Sequence, residues 1–372
     1  MQLDAIATPA LVLDRNILMR NVATMSTRMN DHGIALRPHL KTSKSAEVAR
    51  LATSGHSGAI TVSTLAEAGY FLDRGFTDIT YAVGFVPSKA PQAIALMVRG
   101  ARLNLVTDSF AVAQAVSKIE DDVVFSMLVE IDCGDKRAGV LADSPELLEI
   151  ARTIHHAKNM TLAGVLTHAG HSYGAPDIAG VKAIAEDERL AAVHAAERLR
   201  EAGLPCPTVS AGSTPTAMFA ERFDGLTEMR PGVYMFLDLT QLSHGVCQRG
   251  DLALSVLASV IGHNRHAGHI LLDSGALALS KDIGANAAWP ETGYGDVCDL
   301  TMRPLEGLHV AQVSQEHGIV PVSDDSVFKR LPVGSKVRVA PNHACITAAA
   351  YSCYNVVEGA RVVDEWDRVN GW

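Results

Sequence analysis

Short apolar or alternating runs recur between longer stretches of helical period through the first two thirds of the chain. "GIALRPH", "GAITVS", "ITYAV", "RLNLVT", "VVFSMLVEI", "LAGVLTH", "PTVSAG" and "LTEMRPGVY" read as eight strands. Between them lie amphipathic helices. In "RNILMRNVATMSTRMND", Leu18, Val22, Met25 and Met29 share one stripe, and "VKAIAEDERLAAVHAAERLREAGLP" ends on a Gly-then-Pro stop. Eight β/α units predict an α/β fold, a (β/α)8 TIM-type barrel, with a doubly wound open sheet as the alternative. Near residue 245 the pattern changes to strands joined by loops, "LALSVLASVIGH", "HILLDSG", "VAQVSQEHGIV", "SKVRVAPNHACITAA" and "GARVVDEW". A second, mainly β domain is expected there, and "TPALVLD" reads as a strand it borrows. The expected division is a barrel over 15–240 and a β domain over 241–372 together with 1–14.

Composition narrows the chemistry. The 372 residues are 48% hydrophobic and carry a net charge of −9, which disfavours phosphate-backbone recognition and leaves small-molecule chemistry. The six cysteines are scattered, the N-terminal stretch has no signal-peptide pattern, and no apolar run is long enough to span a membrane, so the protein is expected in the cytoplasm.

A closed barrel would gather the polar strand ends at one mouth. Those ends supply His39 and Lys41, Ser63 and Thr64, Asp108, Asp132 and Arg137, then His168, His171 and Tyr173. Gly212, Ser213 and Thr214 lie in "AGSTPT", a strand-to-helix turn whose amides and helix dipole favour an anion, although most such turns are only N-caps. "RPGVY" brings Gly232 and Tyr234 beside it. An anion cradle facing a strand-end lysine suggests pyridoxal phosphate held by Lys41, with Lys44 read as surface charge. Arg137 would bond the cofactor's phenolic oxygen or pair with Asp132 or Asp135.

"RPHLKTSK", "TVSTLAEAGYF", "EIDCGDKRAGV", "THAGHSYG", "GSTPT", "EMRPGVYMF", "QEHGIV" and "PNHACITA" together resemble the D-serine dehydratase and D-threonine aldolase family of fold-type III pyridoxal phosphate enzymes. The resemblance runs over nearly the whole chain. It implies an alanine-racemase-like barrel with a β domain, Lys41 as the cofactor lysine, and a homodimer in which each β domain covers the other barrel mouth. It also implies a divalent metal at His343 and Cys345. Zinc suits these ligands best, with manganese, cobalt or magnesium as alternatives. From spacing alone the two residues share one face of an expected strand, a pattern more often met by a buried Cys beside a structural His.

The aldolases of the family carry His-x-Asp where this chain has His-x-Cys, which favours β-elimination. The expected reaction is dehydration of a D-3-hydroxy amino acid, such as D-serine or a 3-hydroxyaspartate, to a 2-oxo acid and ammonia. A retro-aldol enzyme, an amino-acid racemase and a non-catalytic pyridoxal phosphate carrier are the alternatives. Lys41 would remove the α-proton, aided by positive charge from Arg37 or the metal that lowers its pKa from about 10.4. His39, His168 and Tyr173 would position or stack on the cofactor, or simply pack. Arg37, His171 and His244 are candidates for a second substrate carboxylate. Glu316 and His317 would orient the metal ligands or cap a turn, and Cys353 is read as structural.

Overall fold

The computed structural model describes all 372 residues, and internal contacts divide them into two compact units. One comprises Thr24–Gly232 with the last two residues, the other Met1–Ala23 with Val233–Asn370.

The first strand, β1 (Ala10–Asp14), belongs to the second unit. The next eight parallel strands build the first: β2 (Ala35–Leu36), β3 (Ile60–Val62), β4 (Asp78–Gly84), β5 (Arg102–Thr107), β6 (Phe125–Asp132), with the short β7 (Val140–Leu141) at its end, then β8 (Met160–Thr167), β9 (Thr208–Ala211) and β10 (Glu228–Met229). Their order is β2-β10-β9-β8-β6-β5-β4-β3. The ring closes where the chain beyond β2 bridges β3: His39 pairs with Thr61, Leu40 N donates to Thr61 O (2.8 Å), and Thr61 N to Pro38 O (3.0 Å). The barrel, not the open sheet, is the fold.

The barrel interior is part apolar and part charged. Val106, Leu128 and Leu166 form a buried layer. Elsewhere Arg37 bonds Asp78 (2.6 Å) and Glu228 (2.8 Å), Ser210 donates to Glu228 (2.6 Å), and Arg230 donates to Ser210 (2.6 Å) and to Thr167 O (2.6 Å). Arg37, Asp78, Glu228 and Arg230 each have at least one partner in this network, as burial demands. Arg37 is therefore consumed inside the barrel, which removes it both as the charge beside Lys41 and as a receptor for a substrate carboxylate.

In the second unit, β11 (Leu254–Asn264), β12 (His269–Leu272), β13 (Gly295–Cys298), β14 (Pro304–His309), β15 (Gln312–Val313), β16 (Gly318–Pro321), β17 (Lys336–Pro341), β18 (Cys353–Glu358) and β19 (Arg361–Asp367) form a mainly antiparallel sheet. The strand β1 lies antiparallel to β11 and parallel to β18, burying Leu3, Ile6, Val12, Leu257 and Val357 in one cluster. Residues 233–240 pack in this unit because Asn21 donates to Met235 O and Asp251 O, and Ala253 N donates to Phe236 O (2.8 Å). No helix is long and apolar enough to cross a membrane.

Candidate active site

The C-terminal ends of the barrel strands surround a cavity of about 330 Å³, lined by His39, Lys41, Ser63, Glu130, Arg137, His168, Gly212 and Arg230 among others. Lys41 is exposed just past the ring-closing His39, and no ion pair or hydrogen bond occupies its amine. Two histidines flank it with opposite polarity. His168 Nδ1 lies 3.1 Å from Gly212 O. A carbonyl only accepts, so that nitrogen carries the hydrogen. Burial, then the nearby charge of Lys41, pushes the His168 pKa down to about 3, which leaves Nε2 with a lone pair. His39 Nδ1 instead accepts from the Lys41 backbone N–H (3.4 Å), and burial followed by the Lys41 charge holds its pKa well below the ordinary value. Its Nε2 is then the N–H side.

Arg230 is 4% exposed, and its Nε is buried with no partner in the protein while the rest of the guanidinium is bonded. Arg137 reaches the cavity from an exposed position, 3.8 Å from Asp135. Asp132 serves its own loop, its Oδ1 accepting the amides of Gly134 (2.8 Å) and Lys136 (3.0 Å). Glu130 also lines the cavity, its pKa raised by burial and then by Asp108. The sequence signal for it was a lone acid inside the apolar run "VVFSMLVEI".

The turn after β9 differs from its expected form. Its amides are not free: Gly212 N donates to Glu188 (3.0 Å), Ser213 N to Thr216 Oγ1 (2.9 Å) and Thr214 N to Tyr173 Oη (3.3 Å). Ser213 caps the short helix Thr214–Phe219, and its hydroxyl is shared among Ser172, Thr216 Oγ1 and Thr216 N. The space around the turn is nevertheless shaped by missing side chains. A Cβ on Gly232 would meet His39 O at 2.7 Å, and Gly212, at φ +114°, would place one 3.0 Å from Arg230 N. Tyr173 sits 6.4 Å from His168, ring centre to ring centre. Tyr234 is buried in the second unit, and burial raises its phenol pKa.

Other strand-end residues serve their own loops. Thr64 caps the helix Leu65–Leu72, and Asp108 accepts from Gly139 N (2.9 Å). Lys44, expected as solvated charge, has its ammonium 3.1 Å from Glu67, which is 1% exposed, so it is a structural ion pair. His171 faces Asp135 at 3.6 Å.

In the second unit His343 and Cys345 are not on a strand. The strand β17 stops at Pro341, and Ala344–Ala348 is a helix with His343 at its N-cap. The reason lies far away in sequence: Asp238 Oδ2 accepts the Ala344 N–H (3.0 Å), starting the helix between the two residues. The side chains still meet. His343 Nδ1 lies 2.7 Å from Asp282 Oδ2. Burial disfavours its charge, but hydrogen bonds to Asp282 and Cys345 outweigh that and raise its pKa to about 11. No group of three or more His, Cys, Asp or Glu side chains forms a metal-type cluster. Glu316 and His317 occupy an exposed turn between β15 and β16, closed by Ser314 N donating to His317 O (2.9 Å).

The alanine racemase N-terminal domain family matches residues 13–240, and a serine dehydratase domain family matches 253–357. The D-threo-3-hydroxyaspartate dehydratase of Delftia sp. (strain HT23) is 46% identical, with 98% of each chain covered. The chain belongs to the D-serine dehydratase and D-threonine aldolase family. It is an enzyme of the lyase class.

Within this family, the D-serine dehydratase of Dictyostelium discoideum is 30% identical over 94% of this chain and 93% of its own. The solved Delftia dehydratase superposes with a TM-score of 0.97 over 100% of both chains. The D-threonine aldolase of Filomicrobium marinum, 25% identical, gives 0.87 over 99% of this chain and 96% of its own. Two solved variants of a D-threo-3-hydroxyaspartate dehydratase, each 46% identical to this chain, replace a histidine and, two positions later, a cysteine by alanine; the cysteine variant is in a metal-free form. The separation equals that of His343 and Cys345.

Proposed function

We propose that this protein dehydrates a D-3-hydroxy amino acid to a 2-oxo acid and ammonia, using pyridoxal phosphate and a divalent metal, with zinc the best match to the donors. The observation that carries the reading is the unoccupied amine of Lys41 in one cavity with the orphaned Nε of Arg230. A buried guanidinium nitrogen without a partner calls for an acceptor from a bound molecule. The cavity, at the lower end of ligand-site volumes, suits a compact aromatic cofactor.

Lys41 would hold the cofactor covalently, with Arg230, Arg137, His39 and His168 around it and Tyr173, Gly212, Ser213, Thr214 and Gly232 about its anionic end. Pyridoxal phosphate, when bound, supplies the electron-withdrawing ring that acidifies the substrate's Cα–H. A divalent ion on His343 and Cys345 supplies Lewis acidity toward a β-hydroxyl. The protein's own part is proton handling. The amine of Lys41 takes the α-proton, the neutral His168 offers an acceptor nitrogen, and His39 offers an N–H donor; neither ring adds charge beside the lysine.

In this reading residues 15–240 carry the cofactor and 241–372, with 1–14, the metal donors. The enzyme works as a cytoplasmic homodimer; exposed Val83, Val86 and Leu141 at the ends of barrel strands and Leu277, Ile283 and Ile346 near the metal donors support an apolar partner surface. The test is ammonia release from a panel of D-3-hydroxy amino acids, with and without zinc, alongside the visible cofactor band. Lys41→Ala should lose both band and activity, and a chelator should stop ammonia release while leaving the band. Glycine plus an aldehyde in place of a 2-oxo acid would show an aldolase instead.

A further inference from the structure

Glu188 is a fully buried carboxylate in the middle of the helix Ile178–Glu201, and it touches neither the cavity nor solvent. One oxygen, Oε1, accepts two backbone N–H groups from different loops: Ala169 N after β8 (2.8 Å) and Gly212 N after β9 (3.0 Å). Thr216, the residue that pairs with Ser213 in the capping box, is a third hydrogen-bond partner of the carboxylate. Glu188 thus joins the residue after His168 to the residue whose carbonyl holds the His168 ring. The two acids before it, Glu186 and Asp187, are not buried, which singles it out among the acids of "AEDER".

A buried anion is costly, and this one stands beside a turn expected to receive an anionic cofactor tail, where its charge works against binding. Burial raises its pKa, offset by the hydrogen bonds from Thr216, Ala169 and Gly212. Removing the acceptor would leave two buried amides unpaired and the two loops untied. We infer that Glu188 is a positioning residue that locks the loops after β8 and β9 together, fixing the His168 ring and the turn at Gly212 for cofactor binding. The inference rests on the pyridoxal phosphate reading above. What it requires of residue 188 is an acceptor oxygen at that place rather than its negative charge.

Gln keeps the acceptor oxygen, Asp draws it back by one methylene, and Ala removes it. The experiment titrates pyridoxal phosphate into cofactor-stripped wild type, Glu188→Gln, Glu188→Asp and Glu188→Ala, following the visible band, with far-ultraviolet circular dichroism on each sample. Expected is a cofactor Kd about ten-fold or more weaker for Ala, an intermediate loss for Asp, and recovery to within about three-fold of wild type for Gln. A folded Ala variant that binds like wild type overturns the inference, and so does a Gln variant as weak as Ala. If Ala does not fold, the Asp and Gln variants decide: Asp equal to wild type, or Gln weaker than Asp, overturns it. Wild type that takes up no cofactor sinks the functional reading and this inference together, whereas normal uptake in every variant sinks this inference alone.

Discussion

Replacing Asp282 by alanine should cost the metal site about ten-fold in affinity, and the figure follows from how the site is held. Asp282 Oδ2 takes the Nδ1–H of His343 at 2.7 Å, and its other oxygen accepts Gly284 N at 2.9 Å, so the carboxylate is itself anchored. The ring is thereby turned with Nε2 as its donor, and Asp238 fixes the backbone between His343 and Cys345. Loss of such a partner typically costs about 10- to 100-fold in metal affinity. Here the side chains are 36% and 33% exposed, so screening places the loss at the lower end, about 1.4 kcal/mol. Proton competition does not cancel it. With the His343 pKa raised to about 11, a proton must leave across the neutral range before a metal enters. The carboxylate remains bonded in both the protonated and the metal-loaded forms, and the divalent ion brings the larger charge, so removing Asp282 weakens metal more than proton. The assay is a competition titration of metal-stripped protein against a chromophoric chelator, run from about pH 6 to 9. Wild type should gain about ten-fold per pH unit for each proton displaced, with Asp282→Ala weaker throughout. Equal affinities in the two proteins, or a wild-type affinity independent of pH, would refute the reasoning.

The paired lysines separate cleanly by stability. Lys44→Ala strands Glu67 in the interior and should destabilise the fold by about 3 kcal/mol in urea unfolding, whereas Lys41→Ala, compared with wild type in the cofactor-stripped form, should leave unfolding nearly unchanged. Gly164→Ala should cost at least about 3 kcal/mol by the same measurement, because its Cβ at φ +135° would fall 2.0 Å from Thr208 O across the β8–β9 pairing. Gly232→Ala should weaken cofactor uptake about ten-fold and also lower stability, since the methyl meets the backbone oxygen of His39 at 2.7 Å beside the cavity; an unchanged titration of the folded variant would mean the cofactor lies elsewhere.

The barrel was legible because its strands are apolar on the scale of four to eight residues and are bounded by turn signals. The strands missed in the second unit, β13, β14 and β18, are short and interrupted by Gly, Asp or Asn, as in "GYGDVCDL" and "YSCYNVVEG". Spacing alone placed His343 and Cys345 together but on the wrong element, because the helix that carries them starts at a carboxylate 106 residues away. Arg37 and Lys44 read as available cations for a similar reason. Their partners, Asp78, Glu228 and Glu67, lie on other segments, and pairing across a barrel leaves no local periodic trace.

The same limit explains which candidate residues could be read and which could not. Lys41, His168 and the His-x-Cys pair stand in loops or at element ends, where polar residues interrupt the apolar pattern and are conspicuous. Glu188 and Asp282 act through other residues from a helix and a surface loop rich in ordinary charge, so each looks solvated until the backbone is closed around it. Carboxylates engaged by several hydrogen bonds, Glu188 buried and Asp282 partly exposed, fix something that must not move. Each here fixes one histidine, Glu188 through the backbone that seats His168 and Asp282 through the ring nitrogen of His343, which makes the orientation of two imidazoles the property that this fold is built to hold.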